Sequence, residues 1–197
     1  MREMIKMVVV LTVLSTLSGG LLAAIQSSTQ ERIDSQVLKF VKGPAIQKIL
    51  EGATNNPVSD RFAVPVGEEE KNFFVGVYEG KPEVVAFETK GSGYGGDVGV
   101  MVAVNVKTGK IHGVSVTTHN ETPGVGARVE THEDFKKQFK GVPIGTETKV
   151  KKDGGEITAM SGATLTSRAV CTAVRRAGDL YGKLEPQIKE KLSTFSG

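Results

Sequence analysis

Three short segments of this 197-residue chain carry residue types that could hold a ligand. The first, Ser161-Gly162-Ala163-Thr164-Leu165-Thr166-Ser167, precedes a long helical pattern. Hydroxyls and small residues at a helix start are ordinary capping chemistry. The same features suit an anion, because free N–H groups and the helix dipole favour negative charge, and Gly162-Ala163 leave room for it. Arg168, in the first turn, is poorly placed for the dipole unless a negative group lies nearby, which favours a phosphate. The second segment is His119-Asn120-Glu121-Thr122-Pro123-Gly124-Val125-Gly126. Pro123 stiffens it, Gly124 and Gly126 permit close approach to something flat, and Glu121 and Thr122 can supply hydrogen bonds. An ordinary strand-to-helix loop would carry the same residues. The third, Lys90–Gly96, matches GxGxxG at Gly91, Gly93 and Gly96. The dinucleotide fingerprint requires a helix to start there, whereas Asp97–Val102 reads as a strand. A Gly-rich turn that shapes a pocket, or a purely structural turn, fits better.

Other chemistries are poorly supplied. His112, His119 and His132 are too widely spaced to form a ligand motif, so no metal site is expected. The single cysteine, Cys171, excludes an internal disulfide, a CxxC pair, a cysteine zinc site and an iron–sulfur cluster held by this chain alone. It falls on a stripe of small apolar residues and reads as packing. Redox chemistry would therefore have to come from a bound organic cofactor. A net charge of +3, spread along the chain without a basic and aromatic stripe, argues against nucleic acid.

The elements that position these segments begin with an apolar stretch. Residues 7–30 carry no charge, which is long enough to span a bilayer. Arg2 and Lys6 precede the stretch, partly offset by Glu3, and the positive-inside rule puts the N-terminus in the cytoplasm and the rest outside. A cleaved signal peptide is the alternative, with Leu22-Ala23-Ala24 near a plausible cleavage point. Residues 31–52 read as a helix broken at Gly43-Pro44, and residues 53–67, with their Pro and Gly breakers, read as loop. Strands are expected at Asn72–Tyr78, Glu83–Thr89, Gly99–Val106 and Lys110–Thr117. His132–Phe139 reads as a short helix, Gly141–Gly155 as turns, and Leu165–Leu192 as a helix that Gly178 and Pro186 weaken. The expected class is α+β, a single transmembrane helix followed by a mainly antiparallel sheet packed with helices. The expected division is residues 1–30 as cytoplasmic N-terminus and anchor, 31–70 as a helical and loop linker, and 71–197 as an extracytoplasmic domain.

In order, Gly93-Tyr94-Gly95-Gly96, Glu121–Gly126 and Ser161–Ser167, behind one anchor, resemble the FMN-binding domain family. That domain is shared by the G subunit of the Rnf complex and the C subunit of the sodium-pumping NADH:quinone oxidoreductase. The resembling stretch runs roughly from residue 75 to 177, and the short chain and Tyr-Gly-Gly turn bring it nearer the Rnf G subunit. The resemblance implies FMN attached covalently, by a phosphoester between its phosphate and a threonine hydroxyl. It puts that threonine at Thr164, with Thr166 as the fallback. Ser161, Gly162, Ala163, Leu165, Thr166, Tyr94, Gly95, Glu121 and Thr122 are the implied cofactor-binding residues, and no catalytic residue of the chain's own is implied. A separate flavin transferase would make the attachment. The family commonly has an acidic residue six positions before the acceptor, where this chain has Thr158.

Two functions follow from this reading. One is an electron-carrier subunit of an ion-translocating oxidoreductase in the plasma (inner) membrane. Such a complex passes electrons between ferredoxin and NAD and couples this to Na⁺ or H⁺ transport. Its partners would be the other membrane subunits and, through one helix, lipid. The other is an anchored extracytoplasmic binding or assembly module without a redox cofactor, which would have no need of the Thr164 hydroxyl.

Overall fold

The computed structural model describes residues 1–67 and 69–195. The last two positions of the expected third segment lie outside the described residues. The chain divides into two compact units, residues 1–40 and 41–197.

The first unit is helix α1, Arg2–Gln36, with the opening of a π-helical turn at its end. Its leucines and valines from Val8 to Leu22 are exposed all round, a surface suited to lipid rather than to a protein core. Within Arg2–Gln30, where an 18-residue stretch reaches a mean hydropathy of 2.2, it is long and apolar enough to cross a membrane. Thr12 and Thr16 donate their hydroxyls to the carbonyls of Val8 and Thr12, both at 2.8 Å, as polar groups must where no water is available. Gly19-Gly20 does not interrupt the helix.

The second unit opens at the end of the π turn, Val37–Lys42, which runs into helix α2, Gly43–Ile49. Pro44 sits in its first turn, where an N–H is not needed. The break expected at Gly43-Pro44 is a change of helix type, and the backbone stays helical through it. Five strands follow: β1 Arg61–Val66, β2 Glu69–Tyr78, β3 Lys81–Ser92, β4 Asp97–Asn105 and β5 Lys110–Thr118. They form one sheet in chain order, every pair antiparallel. The expectation of loop at 53–67 is corrected by β1. Pro65 is tolerated there because β1 is an edge strand, with one side free of ladder bonds.

The sheet is covered on both faces. Side chains alternate along a strand, so Val98, Val100, Val102 and Val104 of β4 face one way, and Met101 and Ala103 the other; all are buried. The valine face packs with helix α4, Thr164–Ser193, through Ala169, Val170, Ala173, Val174 and Ala177. Closeness here is a matter of glycine. A Cβ on Gly91 of β3 would lie 1.9 Å from the Ala169 carbonyl oxygen. Thr89 Oγ1 donates to the Ala173 carbonyl at 2.8 Å alongside it. The opposite face takes α2, with Leu50 against Gly76 and Ile49 against Gly113.

Helix α3, Glu133–Lys137, begins at His132, whose Nδ1 accepts the Phe135 N–H. Neither Gly178 nor Pro186 ends α4. Gly178 is buried where residues 144–145 approach, a Cβ there falling 2.7 Å from the Gly145 nitrogen. It is a contact point rather than a weak point. Pro186 lies on an exposed part of the helix.

Candidate cofactor site

The three segments, far apart in sequence, meet at one buried carboxylate. Glu121, only 5% exposed, accepts the Gly95 N–H on Oε1 at 2.9 Å and the Thr166 hydroxyl on Oε2 at 2.5 Å. One side chain thus joins the β3–β4 turn, the loop after β5 and the first turn of α4. The glycines of the motifs make room for it. A Cβ on Gly93 would lie 2.4 Å from Glu121 Oε1, and one on Gly126 would lie 2.5 Å from Oε2 and 2.7 Å from Thr166 Oγ1. Gly95 lies flat on the loop, its notional Cβ 1.9 Å from the Asn120 carbonyl oxygen. The GxGxxG match is therefore a hairpin turn, closed by Gly93 N–H to the Gly96 carbonyl at 2.7 Å, and leads into strand β4.

Above this junction lies a groove of about 510 Å³. Tyr94, Thr122, Val125 and Leu165, all largely exposed, line it together with Gly126, Gly162, Ala163, Thr164 and the Glu121–Thr166 pair. Lys152 completes the lining. Thr164 is half-buried at the helix start, whereas Thr166 is 2% exposed and committed to Glu121. Ser161 is outside the lining; its carbonyl accepts Arg128 Nη2 at 2.7 Å, and Arg128 Nε reaches the Val125 carbonyl at 3.3 Å. Arg128 is a clasp between two of the segments.

Two expectations about the helix start change. Side-chain capping is absent: the cap residue is Ala163, and its side chain makes no cap hydrogen bond. Ser167 is engaged elsewhere, accepting the Met160 N–H at 3.0 Å and donating to the Ala163 carbonyl at 2.9 Å. The negative group that Arg168 needs is not a phosphate but Asp153, held by two bonds of 2.7 Å. This pairing holds the Asp153 carboxyl below its ordinary range and the guanidinium above its own. Thr158, at the position of the family's acidic residue, is exposed, and the Gln138 amide holds its backbone N–H and carbonyl.

The remaining candidates scatter. His112 approaches the Tyr78 hydroxyl at 3.4 Å, His119 lies 3.6 Å from Glu130, and His132 caps α3. Among the described residues no three His, Cys, Asp or Glu side chains cluster as metal ligands. Cys171 is buried in α4, and desolvation first, then the Asp153 charge, push its thiol up to about 12. A thiol so rarely ionised is a packing residue. Lys152 and Arg128 carried no signal in sequence. They lie in turns without periodicity, and only the folding of those turns brings Lys152 to the groove and Arg128 to Ser161.

With this geometry in view, the comparisons with known proteins are specific. The FMN-binding domain family matches residues 93–179, which take in the Gly93–Gly96 part of the glycine-rich turn and both other segments. The G subunit of the ion-translocating oxidoreductase complex of Cronobacter sakazakii is 34% identical over 190 residues, 91% of each chain. The chain belongs to the family of these G subunits. The Shewanella oneidensis member is 31% identical over 89% of this chain and 88% of its own. Among solved structures, the C subunit of Na⁺-translocating NADH-quinone reductase from Parabacteroides distasonis shares the fold. Its TM-score is 0.57 at 21% identity, covering 78% of this chain and 96% of that one.

The groove fits the cofactor after which the domain family is named. Exposed apolar groups at Tyr94, Val125 and Leu165 suit a flat ring system. The uncapped start of α4 and the Lys152 ammonium suit a phosphate. Gly162, at φ +76 with open space around it, leaves the approach to Thr164 clear.

Proposed function

We propose that this chain is the electron-carrying flavoprotein subunit of a membrane-bound, Rnf-like ion-translocating oxidoreductase, with FMN esterified through its phosphate to Thr164. When bound, the flavin supplies the electron-transfer chemistry. The chain's own residues position it. Glu121 ties the three loops into one floor, Tyr94, Val125 and Leu165 offer apolar contact, and the α4 start receives the phosphate. One observation carries the reading. Of the two candidate hydroxyls, Thr164 lines the groove half-exposed, while Thr166 is buried and already donating to Glu121.

In this reading residues 1–30 are a cytoplasmic N-terminus and anchor, with Arg2 and Lys6 on the cytoplasmic side, and the flavin domain works outside. A separate flavin transferase makes the ester, so the chain needs no catalytic base of its own. Neighbouring membrane subunits exchange electrons with the domain and move the ion.

The test is the intact mass and in-gel flavin fluorescence of the chain purified from its native membrane. The expected result is a mass gain of FMN less water, with fluorescence that survives denaturation and is lost in Thr164→Val. An unmodified wild-type mass would leave an anchored binding module. Retained fluorescence in Thr164→Val would move the ester to Thr166.

A further inference from the structure

We propose that Lys152 is the charged contact for the phosphate end of the flavin cofactor and that the Asp153–Arg168 pair is the device that positions it. This rests on the functional reading above and adds a residue that none of the three motifs contains.

Two formal charges line the groove, Glu121 and Lys152. Glu121 is buried, with both oxygens already hydrogen-bonded. Lys152 has neither an ion pair nor a hydrogen bond among the described residues, although an acidic residue is its immediate neighbour. That neighbour, Asp153, is taken by Arg168 through both oxygens. The pairing also explains why an arginine is tolerated near the positive end of a helix dipole.

The turn that carries Lys152 is fixed at several points. Lys151 donates its N–H to the Ile157 carbonyl at 2.8 Å, and Asp153 donates its N–H to the Val150 carbonyl at 2.8 Å. Gly154 closes the turn at φ +83, and a Cβ on Gly155 would fall 2.1 Å from the Lys149 carbonyl oxygen. Arg168 then pins this turn to the first turn of α4. The N–H groups of Thr164, Leu165 and Thr166 have no acceptor among the described residues. A lysine without a partner, on a rigid turn bolted to an uncapped helix start, is arranged for an anion. The phosphate is the part of FMN that is anionic in every redox state, whereas the oxidised ring is neutral.

The experiment uses the full-length chain, co-expressed with its flavin transferase, as wild type and as Lys152→Gln, Lys152→Arg and Asp153→Asn. Intact mass against time gives the rate of flavin attachment, and the ³¹P resonance of the attached phosphodiester reports its surroundings. Lys152→Gln is expected to slow attachment roughly two- to five-fold, the range for losing one solvent-exposed charge pair, and to move the ³¹P resonance. Lys152→Arg restores both, and Asp153→Asn acts in the same direction as Lys152→Gln. Wild-type rate and an unmoved resonance in Lys152→Gln would overturn the role of Lys152 while leaving the flavin reading intact. A wild-type chain without flavin would overturn the reading itself and this contact with it.

Discussion

Glu121 shows how one residue can convert three separate motifs into a site. Its carboxylate has two donors, the buried Thr166 hydroxyl and the part-buried Gly95 N–H. Removing the acceptor leaves the Thr166 hydroxyl unpaired away from water, at about 1–3 kcal/mol. Glu121→Ala should therefore lower the unfolding midpoint, whereas Glu121→Gln, which keeps one acceptor oxygen, should lower it less. Equal midpoints for wild type and Glu121→Ala would show that the junction contributes nothing. Gly126→Ala tests the same junction from the other side, because its Cβ must displace Glu121 Oε2 and Thr166 Oγ1. Overpacking of this kind costs about 1–3 kcal/mol, measurable by denaturant titration. The Glu121–Gly126 pattern was visible in sequence as a stiff, glycine-rich loop. That its glutamate points inward, to bond two other segments, was not, because hydrogen-bond partners so distant in sequence leave no local signature.

At the scale of elements, α4 is the platform. It covers the sheet, carries Thr164 and Thr166 at its start, and receives Asp153 through Arg168. Its contact with β3 has no slack at Gly91, so Gly91→Ala should push the helix away and destabilise the domain by about 3 kcal/mol. A midpoint unchanged in Gly91→Ala would mean the sheet and helix can separate without penalty. Pro186 works in the opposite sense. A proline inside a helix removes one hydrogen bond and crowds the preceding turn, at about 3 kcal/mol. It is exposed and nothing in the groove depends on it, so Pro186→Ala should raise the midpoint; a lowered one would show that the surrounding backbone requires proline. The helical period of α4 was legible from Val170, Val174, Ala177, Tyr181, Leu184 and Ile188. Strand β1 was hidden because its proline reads as a breaker unless the strand is known to lie at the edge.

For the molecule as a whole, residues 41–197 form a compact unit with their own core. A chain beginning at Val41 should remain soluble and unfold in one cooperative transition. Sedimentation and calorimetry check this, and loss of the transition would make α1 part of the fold. The unit also has a defined acid response. Hydrogen bonds from Lys48, then Lys136, hold the Glu133 carboxyl down at about 2 from its usual 4.5. A carboxylate depressed on folding stabilises above its unfolded value and loses that contribution as pH falls through its folded one. The stability difference between wild type and Glu133→Gln should be constant above about pH 4.5 and shrink toward pH 2. Because Glu133 is partly exposed, screening keeps the difference to about 1 kcal/mol or less. A difference that instead grew on acidification would reverse the assignment.

Sequence by itself determined what depends on composition and local spacing. The uncharged run of residues 7–30 dictates a helix that lipid can cover, because apolar side chains fall on every face and hydroxyls such as those of Thr12 and Thr16 bond back to the backbone. Alternation and turn residues dictated four of the five strands, and the three glycine-rich segments marked where a ligand could approach. Tertiary structure decided what depends on contacts between distant residues. It joined the segments through Glu121, buried Thr166 against that carboxylate while leaving Thr164 half-exposed in the groove, gave Arg168 to Asp153 and so left Lys152 without a partner among the described residues. The reason is physical: helix and strand periods are encoded within a few residues, whereas the partner of a buried carboxylate or a lysine is fixed only when remote backbone is brought within hydrogen-bonding distance.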